Sequence, residues 1–265
     1  MYQRDFDFIT NNNGYKLSVV LMADSFFYAV LDNENTLIAH QSAEQFRFSD
    51  QTHRNILLED KILKATYQSI SVVVLPALQF QASSPNDALL ATFPGMELYS
   101  NKIEKLACQS IYNYFGITYH QETLLQTLFG VDGYTLHSLL YILSSYYLGP
   151  IHRFMHLHVE QDHVYIYIQQ NGVLQFYNTF SASSIADILY FVLATCKTSG
   201  FEPLSDQVTI SGWIEKDSPL FTQLTGYLPE VKLIKDTDFR LHSSCNPSQY
   251  PHHYFVHLAN ALCAS

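Results

Sequence analysis

The chain predicts a mixed α/β fold made of two similar subdomains, and three observations carry that expectation. Three short strands followed by an amphipathic helix occur twice, from Leu17 to Ile70 and from Leu157 to Gly200, about 140 residues apart. The turns inside each copy are tight enough to make its strands antiparallel neighbours. Strands alternating with helices then follow each meander, which builds a mixed sheet and not a sandwich. Two similar halves imply a cleft between them as the place for a ligand.

In the first copy, LSVVLMADSFFYAVLD reads as two strands joined at Ala23 to Ser25, and NTLIAHQ as a third after the Asp32 to Asn35 turn. Asn55 to Ser69 places Ile56, Ile62, Leu63 and Thr66 at helical spacing with charges between them, which predicts a helix lying on that sheet. The β-branched run Ser71 to Leu75 is a buried strand closed by Pro76, and Leu78 to Gln81 is a second short one. Ser84-Pro85-Asn86-Asp87 has the residues to cap a short helix.

Periodicity weakens from Phe93 to Lys105, and Pro94-Gly95 is a turn signal, so the boundary is placed there: subdomains 1–100 and 101–265. Gln109 to Phe115 then reads as a strand, and Gln121 to Phe129 and Thr135 to Leu148 as helices, the latter stopped by Gly149-Pro150. The second meander is Met155 to Glu160, His163 to Gln169 and Val173 to Phe180. Its turns are Gln161-Asp162 and Asn171-Gly172, the second a strong hairpin signal. Ser183 or Ser184 caps a helix ended by Gly200. Gln207 to Ser211 and Val231 to Ile234 are strands, and Asp217 to Tyr227 and Tyr250 to Leu262 are helices.

Composition sets limits on function. At 48% hydrophobic over 265 residues the chain can bury one large core or two modest ones. The apolar stretch Leu136 to Leu148 is broken by His137, Ser144 and Ser145 and falls short of the ~20 apolar residues of a membrane span. The start MYQRDFDFITNNNG is no secretory signal, so a cytoplasmic protein is expected. Cys108, Cys196, Cys245 and Cys263 form no short framework and read as reduced thiols. A net charge of −10 argues against a nucleic-acid partner, since counterion release needs clustered Lys and Arg. Arg47, Arg54, Lys61 and Lys64 come nearest to a cluster and read as a solvated face.

Few motifs carry chemistry. VTISGWIEKDS is a strand, a glycine and a helix start, an arrangement that lets backbone approach a nucleotide or simply makes a turn needing positive φ at Gly212. Trp213, the only tryptophan, stacks on a base in the first case and caps the core in the second. Asp24, Asp32, Glu160 and Asp162 sit at hairpin turns, where they hold Mg²⁺ through water or serve ordinary turn preference. No Walker-type or Rossmann glycine motif and no G-x-S-x-G elbow is present. His156 with His158, and His253 with His257, have spacings that can place two imidazoles on one metal ion, and they ground a weaker reading as a metal-dependent hydrolase. Neither pair has a third ligand nearby in sequence, so no metal ligand is assigned.

The phrases LHVEQDHVYIYIQQNGVLQFYNTF, VTISGWIEKDSPLFTQLTGYLPEVKLI and PHHYFVHL resemble a family of bacterial proteins without an assigned function, found mainly in Bacteroidetes, with the actin-like ATPase fold. The resemblance spans most of the chain and is most specific from His156 to Leu258. It implies two ribonuclease-H-like subdomains, two hairpin turns that grip phosphates and a third loop that meets adenosine. The first phosphate turn would fall at Ala23, Asp24 and Ser25, the second at Gln161 and Asp162, and the adenosine loop at Ser211 and Gly212, with Trp213 near the base. Neither turn has the glycine that the superfamily uses there, and no lysine follows Asp24. The expectation is therefore a scaffold or partner-binding module with an unknown protein partner and degenerate nucleotide chemistry. The alternative is an actin-like ATPase holding ATP with Mg²⁺ near Asp24 and Asp162.

Overall fold

A computed structural model describes residues 14–76, 78–86, 95, 99–107, 109–148, 152–234, 240–241 and 251–263. These form two compact units. The first takes the described residues up to Tyr146, with 240–241 and those from Val256 onward; the second takes those from Tyr147 to 234 and from 251 to Phe255.

The first unit is built on a six-stranded sheet. β1 (Lys16–Leu21), β2 (Phe26–Leu31) and β3 (Thr36–Ala43) form the antiparallel meander. After helix α1 (Gln51–Leu58), β4 (Ser69–Val74) returns parallel to β1, and β8 (Thr135–Ser138) lies parallel to β4. β14 (Arg240–Leu241) pairs with β3, which gives the order β14-β3-β2-β1-β4-β8. Between β4 and β8 the chain makes a separate antiparallel sheet, β5 (Gln79–Ala82), β7 (Tyr112–Thr118) and β6 (Tyr99–Lys105), and helix α2 (Tyr119–Phe129). Alternation on β1 sends Leu17, Val19 and Leu21 into a core with Phe26, Tyr28, Leu57, Val72, Phe115 and Leu124.

The opposite face of β1 and β4 carries serines, and helix α6 (Phe255–Cys263) satisfies them. Asn260 donates to the Ser18 hydroxyl at 2.8 Å and to the Ser71 carbonyl at 3.0 Å, and accepts from the Ser71 hydroxyl at 2.6 Å. Ser18 Oγ lies 3.2 Å from His257 Nδ1. All four side chains are buried.

The second unit repeats the arrangement. β9 (Arg153–Glu160), β10 (His163–Gln170) and β11 (Val173–Ser181) form the meander, α4 (Ile185–Ser199) follows, and β12 (Gln207–Gly212) runs parallel to β9. Helix α5 (Pro219–Tyr227) leads to β13 (Val231–Leu233), for the order β11-β10-β9-β12-β13. The Asn171-Gly172 hairpin has both residues at positive φ, 51° and 79°. Ser184 caps α4 through the Asp187 N–H, and Gly200 ends it in the left-handed region at φ 66°. Met155, Leu157 and Val159 face a core with Ile166, Val192, Ile210 and Leu224. Cys196 joins that core, and burial pushes its thiol up to about 11. Cys108 and Cys245 lie outside the described residues, as do 87–94, where the helix after Ser84 was expected.

Four elements depart from expectation for local reasons. α1 begins at Gln51 because Asp50 caps the N–H groups of Thr52 and His53, and it ends at Leu58. Asp60 then accepts from Ile62 N at 2.7 Å and Leu63 N at 3.3 Å, a turn that competes with helix, so Asn55 to Ser69 is not one helix. Thr135 to Ser138 is strand, pairing with β4, and Ser138 Oγ accepts from Tyr141 N to start α3 (Leu139–Tyr146). β6, where periodicity looked weak, is a half-exposed strand whose Lys102 pairs with Glu122 at 2.7 Å. The last helix opens with a 3₁₀ turn, Pro251–Tyr254, and residue 250 is outside the described residues.

The chain also divides later than residue 100. Residues 101–146 belong to the first unit because β8 completes its sheet beside β4 and Phe115, Ile117, Leu124 and Leu125 fill its core. Among the described residues no helix is long and apolar enough to cross a membrane.

Asn260 closes the polar face of β1 and β4, so its truncation strands buried polar groups on both strands. Asn260→Ala is expected to lower unfolding free energy by about 2–3 kcal/mol in urea titration. An unchanged midpoint would mean that α6 is held by its apolar contacts and the His257–Ser18 contact without help from Asn260.

Candidate functional site

Asp24 and Ser25 belong to the first unit. The β1–β2 hairpin closes on itself through Met22 N to Ser25 O at 3.0 Å, and the Asp24 carbonyl accepts from Phe46 N at 2.6 Å. Ser25 is fully buried, its hydroxyl 3.3 Å from the Asp24 carboxylate. A cavity of about 500 Å³ adjoins the turn, lined by Asp24, Gln45, Arg47, Asp50 and His53. His53 Nδ1 accepts from Arg47 N at 2.9 Å. Backbone N–H groups of Thr52 and His53 hold the Asp50 carboxyl below its ordinary value.

Asp162, Ser211 and Gly212 converge at one end of the second unit's sheet. Parallel pairing sets Ser211 against His158 and Gly212 against Val159, beside the Gln161-Asp162 turn that follows Glu160. Gln161 takes positive φ, 48°, without being glycine, and the Asp162 carbonyl accepts from Ala182 N at 2.7 Å. Gly212 has φ 91°, and a Cβ there would lie 1.9 Å from the Val159 carbonyl oxygen, which instead accepts from Trp213 N at 2.8 Å. Close approach of two strands is therefore sufficient to require glycine at this position.

Trp213 projects from this strand end, 48% exposed, with its ring centroid 4.7 Å from that of His253. Both line a cavity of about 320 Å³ with Ile185, Ile214, Glu215 and the first turn of α5. His252 bonds the Ile214 carbonyl through Nε2 at 2.5 Å and packs edge-on against His253 at 4.6 Å. Burial, reinforced by His252, pushes His253 down to about 4, so its ring is neutral at physiological pH.

His156 and His158 share one face of β9 and meet at Ser211. Its hydroxyl is 2.9 Å from His156 Nε2 and 2.9 Å from His158 Nδ1. His156 Nδ1 lies 2.9 Å from the Tyr147 hydroxyl and 3.0 Å from Thr209 Oγ1, and His158 Nε2 faces Glu160 Oε2 at 3.6 Å. One polarity satisfies the whole row: Tyr147 donates to His156, His156 to Ser211, Ser211 to His158, and His158 Nε2–H points at the carboxylate. Burial pushes His158 down to about 3 and His156 well below its ordinary range.

Three of the four ring nitrogens of this histidine pair thus meet hydroxyls, and the fourth, His158 Nε2, faces the Glu160 carboxylate. His253 and His257 do not share one helix: the first lies in the 3₁₀ turn against Trp213, the second in α6 against Ser18. Among the described residues no group of three or more His, Cys, Asp or Glu is placed to hold a metal ion. Spacing had flagged His156 and His158, and the family resemblance had flagged Ser211. The parts of Tyr147 and Thr209 carried no sequence signal: Thr209 meets His156 through the pairing of β12 with β9, and Tyr147 meets it from the turn after α3.

The chain belongs to the family described as protein of unknown function (DUF3822), whose model matches residues 4–231. Among solved structures it is similar to a Bacteroides thetaiotaomicron protein with actin-like ATPase fold and unknown function, at 19% identity and TM-score 0.69, covering 85% of this chain and 93% of that one. It is also similar to a chain of the PilM-PilN type IV pilus biogenesis complex, at 12% identity and TM-score 0.62, covering 93% and 97%. Ethanolamine utilization protein EutJ from Carboxydothermus hydrogenoformans is similar at 10% identity and TM-score 0.51, covering 96% and 91%. No curated protein matches. The fold is the actin-like ATPase fold, and the two β-meander units are its ribonuclease-H-like subdomains.

Two outcomes follow from the site. Gly212→Ala is expected to destabilise by about 3 kcal/mol, read as a lowered denaturation midpoint, through overpacking and backbone strain. For His158, the folded value lies near 3 and the unfolded one near 6.5, so as pH falls the unfolded chain takes up the proton first. The contribution of the neutral ring is complete above about pH 6.5 and is lost below it, by about 1.4 kcal/mol per pH unit. Melting temperature should fall from pH 7 to pH 5, and His158→Asn, whose amide can keep the Ser211 contact, should flatten the slope. An unaltered slope would assign the acid sensitivity to other groups.

Proposed function

We propose that the chain is a cytoplasmic partner-binding module on the actin-like fold, whose phosphate-gripping turns have lost that role. The observation that carries this reading is the state of the two turns. Neither contains glycine, so Cβ atoms occupy the space through which backbone N–H groups would approach phosphate oxygens. Their carbonyls are tied to Phe46 N and Ala182 N, and each turn presents a carboxylate, Asp24 or Asp162, to any incoming anion. Gly212, the residue closest to the superfamily pattern, already has its explanation in the contact with Val159. Similarity to a chain of a named two-protein assembly is in keeping with a partner-binding role.

A second reading, ATP with Mg²⁺ near Asp24 and Asp162, draws support from the convergence of Asp162, Ser211 and Gly212 and from the open ring of Trp213 nearby. Isothermal titration of ATP with Mg²⁺, then of ADP, separates the two. No heat at millimolar nucleotide is expected; micromolar binding would overturn the partner-binding reading in favour of the nucleotide one.

A further inference from the structure

The Trp213 cavity has a chemistry that neither turn shares. Its lining is mostly apolar, Ile185, Ile214, Pro219 and Leu220, with the exposed indole and the neutral imidazole of His253 as aromatic surface. Glu215 is the single acidic residue in the lining, and no lysine or arginine is among it. At about 320 Å³ it stands at the small end of ligand sites, which run from about 300 to 1,000 Å³. That volume suits one side chain or a fragment better than a whole nucleotide.

Charge decides what enters. An anion would meet the Glu215 carboxylate, and the start of α5 offers it little compensation: Pro219 has no N–H, and Ser218 Oγ already takes the Phe221 N–H. A cation meets the carboxylate and the face of an indole, the ring that attracts cations best. Between the two common cationic side chains, the planar guanidinium lies flat on an aromatic face and forks onto a carboxylate, whereas a lysine ammonium meets both as a compact, strongly hydrated point charge. The acidic chain, net −10, favours approach of a basic segment.

We propose that this cavity receives an arginine side chain of a partner protein, with the guanidinium on Trp213 and paired to Glu215. The inference rests on the partner-binding reading and gives that partner a chemistry.

Because Trp213 is the only tryptophan, its fluorescence reports occupancy directly. The probe is the blocked tripeptide acetyl-Gly-Arg-Gly-amide, with the citrulline peptide as neutral isostere and adenosine as competitor. A saturable change with the arginine peptide is expected, about fivefold or more weaker with citrulline and in Glu215→Gln, a substitution at an exposed position. Equal response to citrulline, response to adenosine alone, or no response at about 20 mM peptide would each overturn the inference. A captured partner that binds Trp213→Ala and Glu215→Gln as it binds the wild type would also overturn it, while leaving the partner-binding reading standing.

Discussion

Everything in either unit is organised by one parallel pairing, that of the meander's first strand with the strand returning after the helix. In the first unit β1 lies on β4, in the second β9 lies on β12, and both sheets run third, second, first, fourth along their width. The pairing makes the first strand central, with neighbours on both sides. Its two faces are both covered, so every side chain on it must find a packed or hydrogen-bonded place. One face solves this with aliphatic residues and a helix layer in each unit. The other combines apolar Val20 or Phe154 with polar side chains, serines answered by Asn260 in one case and histidines answered by Ser211 and Tyr147 in the other.

The polar faces account for much that looks functional in the sequence. A buried histidine pair is costly unless its nitrogens are matched, and Ser211 matches two of them with one hydroxyl because register puts it opposite His158. The same register brings Gly212 against Val159 O, where a side chain cannot fit. Ser211 and Gly212, the two residues expected to form an adenosine loop, are thus accounted for by strand pairing, and their presence does not by itself argue for a nucleotide.

The meanders were legible because alternation, tight turns and caps are local: Asn171-Gly172, Ser184 and Gly200 each occupy the place their chemistry predicts. The errors arose where a side chain redirected the backbone. Ile56 has the spacing of a core residue and yet is 58% exposed, because Asp50 starts α1 early and Asp60 turns the chain away after it. Thr135 to Ser138 runs into an apolar helix with no glycine or proline between them, and only pairing with β4 makes it strand. The candidate site was half legible for the same reason. Spacing could single out His156 and His158, but not Tyr147 and Thr209, whose hydroxyls reach His156 only in the folded unit.

Electrostatics then separates what the fold permits from what these residues favour. Phosphate binding by hairpin turns works by exposing N–H groups where no side chain intrudes, which places partial positive charge against the anion. Here the turn positions carry Ala23, Asp24, Gln161 and Asp162, so each turn presents a Cβ and a carboxylate in place of that field. At the strand end beyond them, burial keeps His253 neutral, and Glu215 is the one formal charge in the cavity lining. The fold is compatible with such turn side chains because strand pairing and the two cores carry its stability, and the turns tie to those cores through backbone carbonyls, Asp24 O to Phe46 N and Asp162 O to Ala182 N. On the proposed reading the strand end attracts the opposite sign of charge: a site lined by a carboxylate and an indole favours a cation, and a cationic side chain is something a protein partner carries.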